Sequence, residues 1–169
     1  ILHTISFAPP DDLRTHAATV MQFLDVLGRV MPCRWCRDSY TKFVRQMPAL
    51  DRTIYEGGLA RWMFDLHCKV NRKLRASSPK FESIAKRFTV RPVQWMASDV
   101  WDILSLFGLN FTPENREHFA VWWAVLPTVL RLGLGADGRV PALLEQTPCP
   151  CEDGAFIATC LVLEATFLQ

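Results

Sequence analysis

The segment Met31-Pro32-Cys33-Arg34-Trp35-Cys36 places two thiols one helical turn apart, and Leu66-His67-Cys68-Lys69-Val70-Asn71 places a histidine and an asparagine one turn apart on a second helix. The thiols can hold a reversible disulfide. At the start of a helix, unpaired backbone N–H groups and the positive end of the dipole stabilise a thiolate and lower its pKa. Arg34 and Arg37 add positive charge, so Cys33 and Cys36 can exchange a disulfide with a substrate dithiol. The alternative is a pair of buried, inert cysteines; the arginines and the preceding proline favour redox chemistry. His67 and Asn71, at i and i+4, share a helix face with Met63 and Leu74. Two polar heads between apolar walls have the composition of a cofactor slot. Taken alone, the two would read as a core histidine satisfied by a carbonyl and a solvent-facing asparagine; the upstream cysteine pair reverses that order. His3 stands at a helix end with no local feature to define it, and His16 and His118 read as helix-surface residues.

The elements that must position these residues are helical nearly throughout. Pro9-Pro10 break an opening helix, and Asp11 is suited to cap the next. Leu13, Ala17, Val20, Met21, Leu24, Leu27 and Met31 then recur at three- and four-residue steps as one apolar stripe. Pro32 ends that helix, and a new one begins around the cysteine pair and closes at Pro48. Leu59, Trp62, Met63, Leu66, Val70 and Leu74 mark a long helix, its start loosened by Gly57-Gly58. Ser77-Ser78-Pro79 reads as a turn before a short helix through Phe81, Ile84 and Phe88. A boundary at Thr89 to Pro92 divides the chain into regions 1–90 and 91–169.

Half of the 169 residues are apolar and 21% charged, which excludes a disordered chain, and a net charge of +2 gives no case for nucleic acid as a partner. There is no Gly-rich phosphate loop. No stretch is apolar for long enough to span a bilayer; residues 154–168, interrupted by Glu164, read as a buried terminal helix. The chain opens at Ile1 inside an apolar pattern, so a processed or trimmed product is expected, with any targeting segment out of view. Six cysteines are too few for a disulfide-dense fold, and two local pairs, Cys33/Cys36 and Cys149/Cys151, suggest redox relays. Zinc is the rival, set lower because Pro148 and Pro150 make the second pair an awkward zinc knuckle; no metal site is expected.

The second half echoes the first. With Ile103 laid over Ile1, Leu104 falls on Leu2, Arg116 on Arg14, His118 on His16 and Ala120 on Ala18, while Gly135 falls on Cys33. Chance in two amphipathic helices is the alternative to a degenerate repeat. A true repeat would pack on the first half as a built-in partner subunit.

The order Leu-His-Thr, Pro-Cys-x-x-Cys and Leu-His-x-x-Val-Asn-x-Lys-Leu resembles the Erv/ALR flavin-linked sulfhydryl oxidases over about the first ninety residues. That resemblance implies an all-α fold: a four- or five-helix bundle holding FAD. It implies that Cys33 faces an incoming protein dithiol, that Cys36 lies beside the flavin, and that His3, His67, Asn71 and Lys73 line the flavin-nucleotide pocket. Electrons would pass through Cys36 to FAD and then to dioxygen, giving hydrogen peroxide. Family members are typically dimers, so a homodimer or an internal pseudo-dimer is expected. The chemistry suits the mitochondrial intermembrane space, the secretory pathway or a viral assembly site alike.

There are departures. The family's Trp three residues before Leu2 would fall upstream of Ile1, although Trp101 precedes Leu104 by three. The Asn after the pocket histidine is Cys68, a family disulfide would fall at Phe64 and about Ser83, and a common Trp is Phe88. These changes resemble the looser pattern of viral members. They also keep alive a different reading, a helical scaffold or assembly subunit that kept the fold and lost activity. Many such oxidases carry a second, mobile cysteine pair, for which Cys149-Pro150-Cys151 is the candidate. A C-x-C disulfide closes a small strained ring, which raises its reduction potential, and residues 147–154 read as a loop able to swing. The alternative is a structural role, with one thiol paired to Cys160 or Cys68. The rest of region 91–169 is expected to be non-catalytic.

Overall fold

Prolines set the helix boundaries around the redox segment. The computed structural model describes residues 2–90, 97–134 and 139–151, together with Phe156, Thr159, Cys160 and Leu163. Among these residues the secondary structure is all-α, with no strand. Helix α1 (Leu2–Ser6) is followed by α2 (Pro10–Thr15), which starts on Pro10 itself, and by α3 (Ala17–Val30). Proline at the first helical position gives up only an N–H that would be unpaired anyway. Leu13, Ala17, Val20, Leu24 and Leu27 are buried as one stripe across α2 and α3. Met31 leaves the helix at φ −54°, ψ 136°, the extended conformation that a following proline imposes.

Helix α4 (Arg34–Val44) therefore starts afresh at Cys33. It is held on α3 by Tyr40, whose buried hydroxyl donates to the Leu24 carbonyl at 2.6 Å. Gly28 makes the approach possible, since a Cβ there would stand 3.0 Å from Tyr40 Cδ1. A short helix, α5 (Leu50–Tyr55), occupies a stretch in which the sequence pattern marks no element. Helix α6 (Leu59–Lys73) buries Leu59, Trp62, Met63 and Leu66, the expected stripe. It ends in a Schellman motif: the Ala76 N–H donates to the Asn71 carbonyl at 2.9 Å and the Arg75 N–H to the Arg72 carbonyl at 3.2 Å, with Arg75 left-handed at φ 54°. Helix α7 (Phe81–Val90) returns against α6. Where the family's bridge would fall, Phe64 packs edge-on against Phe81 at 5.3 Å, and the Arg61 guanidinium covers both rings.

The second half supplies α8 (Ala97–Gly108), a 3-10 turn at Pro113–Asn115, α9 (Arg116–Leu134) and α10 (Arg139–Glu145). The Asn115 side chain accepts from the Thr112 N–H at 2.8 Å, fixing the entry to α9. Helix α9 is central, packing on α3, α1 and α10. With Ile103 laid over Ile1, α3 falls within α9, and these two helices lie against each other. Gly133 belongs to α9, where a Cβ would come within 2.9 Å of Ile5 Cγ1. The expected boundary at residues 89–92, the loop at 133–138 and the terminal helix at 154–168 lie partly outside the described residues. Phe156, Thr159, Cys160 and Leu163 of that last segment are helical.

Candidate functional site

The break at Pro32 makes Cys33 the N-cap of α4, and its Sγ accepts the Cys36 N–H at 3.2 Å. Both thiols are exposed and free. In the reduced pair the negative charge settles on Cys33. Its pKa is held below the ordinary thiol value by hydrogen bonds from the Cys36 side chain and backbone, with the Lys73 ammonium adding to them. The Cys36 pKa is raised, because its thiol is a donor to Cys33, because it is partly desolvated, and because the two charges repel. Lys73 is brought to this spot by donating to the Trp35 carbonyl at 3.4 Å and to Ser39 Oγ.

Behind the pair, Arg37 Nη1 donates to the Met31 carbonyl at 2.5 Å, the Pro32 carbonyl at 3.2 Å and Asn110 Oδ1 at 2.8 Å. Asn110 Nδ2 donates in turn to the Arg29 and Val30 carbonyls at 3.2 and 3.4 Å. The last turn of α3, the cysteine segment and the second half are thus tied at one point. No local sequence signal announces this, because Asn110 lies 73 residues from Arg37.

His3 and His67 meet where α1 packs on α6. Their ring centroids are 4.4 Å apart, and Phe88 stands 5.4 Å from His3. Nδ1 of each is buried without a hydrogen-bond partner. Burial, and the neighbouring His67, push the His3 pKa down to about 4, and burial lowers that of His67. Both imidazoles are therefore neutral near pH 7. The two rings border a cavity of about 570 Å³ whose wall includes Met31, Arg87 and Phe88 on one side and Val100, Leu104, Phe107 and Trp122 on the other. That volume lies within the range of cofactor sites, and an apolar slot bordered by two neutral imidazoles fits a planar heteroaromatic ring. A larger groove of about 820 Å³, between α4 and the start of α9, is open and lined by charged side chains such as Arg29, Lys42, Arg45 and Glu114. It lacks apolar walls for a ring.

The eight expected site residues with cofactor or redox roles thus fall in four places. His3 and His67 border the cavity; Cys33, Cys36 and Lys73 gather at the start of α4. Asn71 Nδ2 is turned to the Ser77 carbonyl and Ser78 Oγ, at 3.4 and 3.3 Å. Cys149 and Cys151 are bonded to each other, with Cys151 3% exposed. The segment is anchored where Trp123 Nε1 donates to the Thr147 carbonyl at 3.1 Å. Cys160 is buried with its thiol pushed up to about 11 by desolvation, and Cys68 is half-buried on α6. Among the described residues no three His, Cys, Asp or Glu side chains converge as a metal site, and no helix is long and apolar enough to cross a membrane.

The neutral His3 has a consequence for acid stability. Between pH 6.5 and about 4 the unfolded chain binds a proton that folded His3 refuses, so stability falls as the pH drops through that window. Because the residue is only partly buried, the loss amounts to about 1–2 kcal/mol. Denaturant unfolding at pH 7 and pH 4.5 checks this: His3→Phe should show a shallower pH dependence than the wild type, and equal slopes would contradict it.

A model of the Erv1 / Alr family matches residues 1–89. The chain is similar to the mitochondrial FAD-linked sulfhydryl oxidase ERV1 of Saccharomyces cerevisiae, at 32% identity over 83 residues. That match takes in 48% of this chain and 42% of the relative, so the chain spans under half the length of the relative it matches. No solved structure matches significantly.

Proposed function

The chain belongs to the Erv1 / Alr family, and from that premise we propose that it is an FAD-dependent thiol oxidase that forms disulfides in protein clients. The observation that carries the reading is the apolar slot of about 570 Å³ bordered by the side chains of His3 and His67 and by Met31, two residues before Cys33. His3 and His67 hold the cofactor, each neutral ring packing against it without the desolvation cost of a charge. Lys73 extends the site along α6 toward α4, and Asn71 would have to turn from Ser77 and Ser78 to join it.

The exposed Cys33 receives the client. A client thiolate attacks Cys33 Sγ, the Cys33–Cys36 bond breaks, and Cys36 departs as a thiolate. The second client thiolate then attacks the client sulfur of the mixed disulfide and expels Cys33, leaving a client disulfide and a reduced pair, with two protons given up to solvent. The lowered pKa of Cys33 suits this step, because a sulfur of lower pKa leaves faster. FAD, when bound, supplies the two-electron acceptor that restores the disulfide and is itself reoxidised by dioxygen, with hydrogen peroxide as product. Cys149 and Cys151 act as a shuttle between client and Cys33. The second half, whose α9 lies on α3, serves as an internal pseudo-partner, a degenerate repeat over residues 91–169.

Absorption spectroscopy tests the reading. The purified protein should be yellow, its flavin band bleaching on dithiothreitol without oxygen and recovering in air. Colourless protein, or a flavin band indifferent to dithiothreitol, overturns it in favour of a helical scaffold.

A further inference from the structure

Helix α4 carries the cysteine pair at its start and, beyond it, forms the ridge between two open grooves. The groove of about 820 Å³ toward α9 is lined by Arg29, Arg37, Lys42 and Arg45, against Asp38 and Glu114. A second groove of about 430 Å³, toward α6, is lined by Lys42, Lys69, Arg72 and Lys73, against Asp38 again. Seven cations thus stand with two carboxylates in a chain whose net charge is only +2, so the rest of the chain is acidic in balance. Arg14, Arg52, Arg61 and Arg131, elsewhere on the molecule, each meet a carboxylate. Among the described residues none of the seven groove cations is in an ion pair. Those held by hydrogen bonds are held by neutral oxygens: Arg37 by carbonyls, Lys69 by Gln46 Oε1 at 3.3 Å, Lys73 by the Trp35 carbonyl at 3.4 Å. Lys42, Arg45 and Arg72 are exposed. Uncompensated charges of one sign along concave surfaces sum and focus their field. Both grooves reach the redox pair, because Arg37 directly follows Cys36 and Lys73 bonds the carbonyl of Trp35, which lies between the two cysteines.

We infer that the two grooves flanking α4 are a docking surface for an acidic segment of the client polypeptide, which brings the client's dithiol to the exposed Cys33. This rests on the reading of the chain as a thiol oxidase and names the class of client that it takes. A nucleic-acid backbone fits less well. Asp38 and Glu114 interrupt the positive surface, and among the described lining residues Phe43 alone is an aromatic side chain on which a base could stack. A peptide can place its carboxylates around those interruptions and carries the thiols itself.

The test gives the full chain two dithiol peptides of equal length, one with its cysteines flanked by Asp and Glu and one with Lys in their place. Oxygen consumption reports turnover, and fluorescence anisotropy of serine versions of the peptides reports binding without any redox step. The wild type should show a KM about tenfold lower for the acidic peptide, an advantage that shrinks as salt is added. Lys42→Glu/Arg45→Glu should raise the acidic peptide's KM about tenfold while leaving turnover of dithiothreitol and the flavin band unchanged. Lys80→Glu/Lys86→Glu, which makes the same change of charge at and near the start of α7, should leave both KM values within about twofold of wild type. Equal KM values for the two peptides in the wild type overturn the inference. So does an equal effect of the α7 substitutions, which reduces the preference to the field of the whole chain. Loss of flavin from Lys42→Glu/Arg45→Glu overturns it by giving those cations to the cofactor's phosphates, and a single-stranded oligonucleotide that binds the grooves more tightly than the acidic peptide overturns it in favour of nucleic acid. Acid-selective anisotropy in a protein that takes up no flavin overturns the oxidase reading and leaves the docking surface standing.

Discussion

Replacing Cys36 with serine is expected to abolish oxidation of every dithiol, with turnover falling at least ~1000-fold, since no disulfide can form at the start of α4. Cys33→Ser should be as severe. The two thiols are distinct: Cys33 is the cap and holds the thiolate, whereas Cys36 donates to it and has a raised pKa. Cys33 left alone in Cys36→Ser should therefore still attack the disulfide of an already oxidised client, forming a mixed disulfide as the client's other sulfur leaves as a thiolate, whereas Cys36 left alone should do so poorly. The double substitution C149A/C151A separates the second pair from the first. Oxygen consumption with dithiothreitol should stay within about twofold of wild type, because a small dithiol reaches Cys33 directly, while turnover of a protein dithiol should fall at least tenfold. The buried position of Cys151 means that the pair must leave its packing to serve as a shuttle. Equal losses on both substrates, or none, would remove Cys149 and Cys151 from the electron path.

Ile103→Trp is expected to prevent FAD binding while leaving the apo protein folded. Ile103 is partly exposed and stands on the cavity wall contributed by α8. A larger ring at that position enters the slot. In a fully packed core such a change would overpack and cost about 1–3 kcal/mol. Facing a void, the added ring gains dispersion contacts instead. The expected result is therefore a paired one: FAD affinity reduced at least ~100-fold by titration, with an apo melting temperature equal to or above that of the wild type. A destabilised apo form that still binds FAD normally would place the cofactor elsewhere.

The absence of a bridge at Phe64 and about Ser83 is compatible with this arrangement. Phe64, Phe81 and Arg61 join α6 to α7 by ring packing, so α7 is still held where Arg87 and Phe88 can border the cavity. Cys68 follows the pocket histidine without disturbing it, since His67 turns toward His3 and Cys68 sits half-buried on the next position of the helix.

What the sequence determined by itself is what neighbours within a turn or two decide. The apolar stripes of α3 and α6 follow from a period of 3.6. The break before α4 follows from Pro32, and Cys33 becomes a cap because the helix must restart there. Even the inequality of the two thiols is local, since Cys36 N–H and Cys33 Sγ are three residues apart. Short elements were less legible: α5 offers only six residues between Pro48 and Gly57, too few for a period to register. Tertiary structure alone decided the partners. His3 acquired its role only when α1 packed on α6, and Asn71, one turn from His67, turned to Ser77 and Ser78 because the helix ends there. The tie from Arg37 to Asn110 and the cavity wall built by α8 and α9 both need residues beyond the family match. Periodicity and capping act through bonds along one helix. A cavity exists only once distant helices enclose it, and no spacing within either segment encodes where the other will lie.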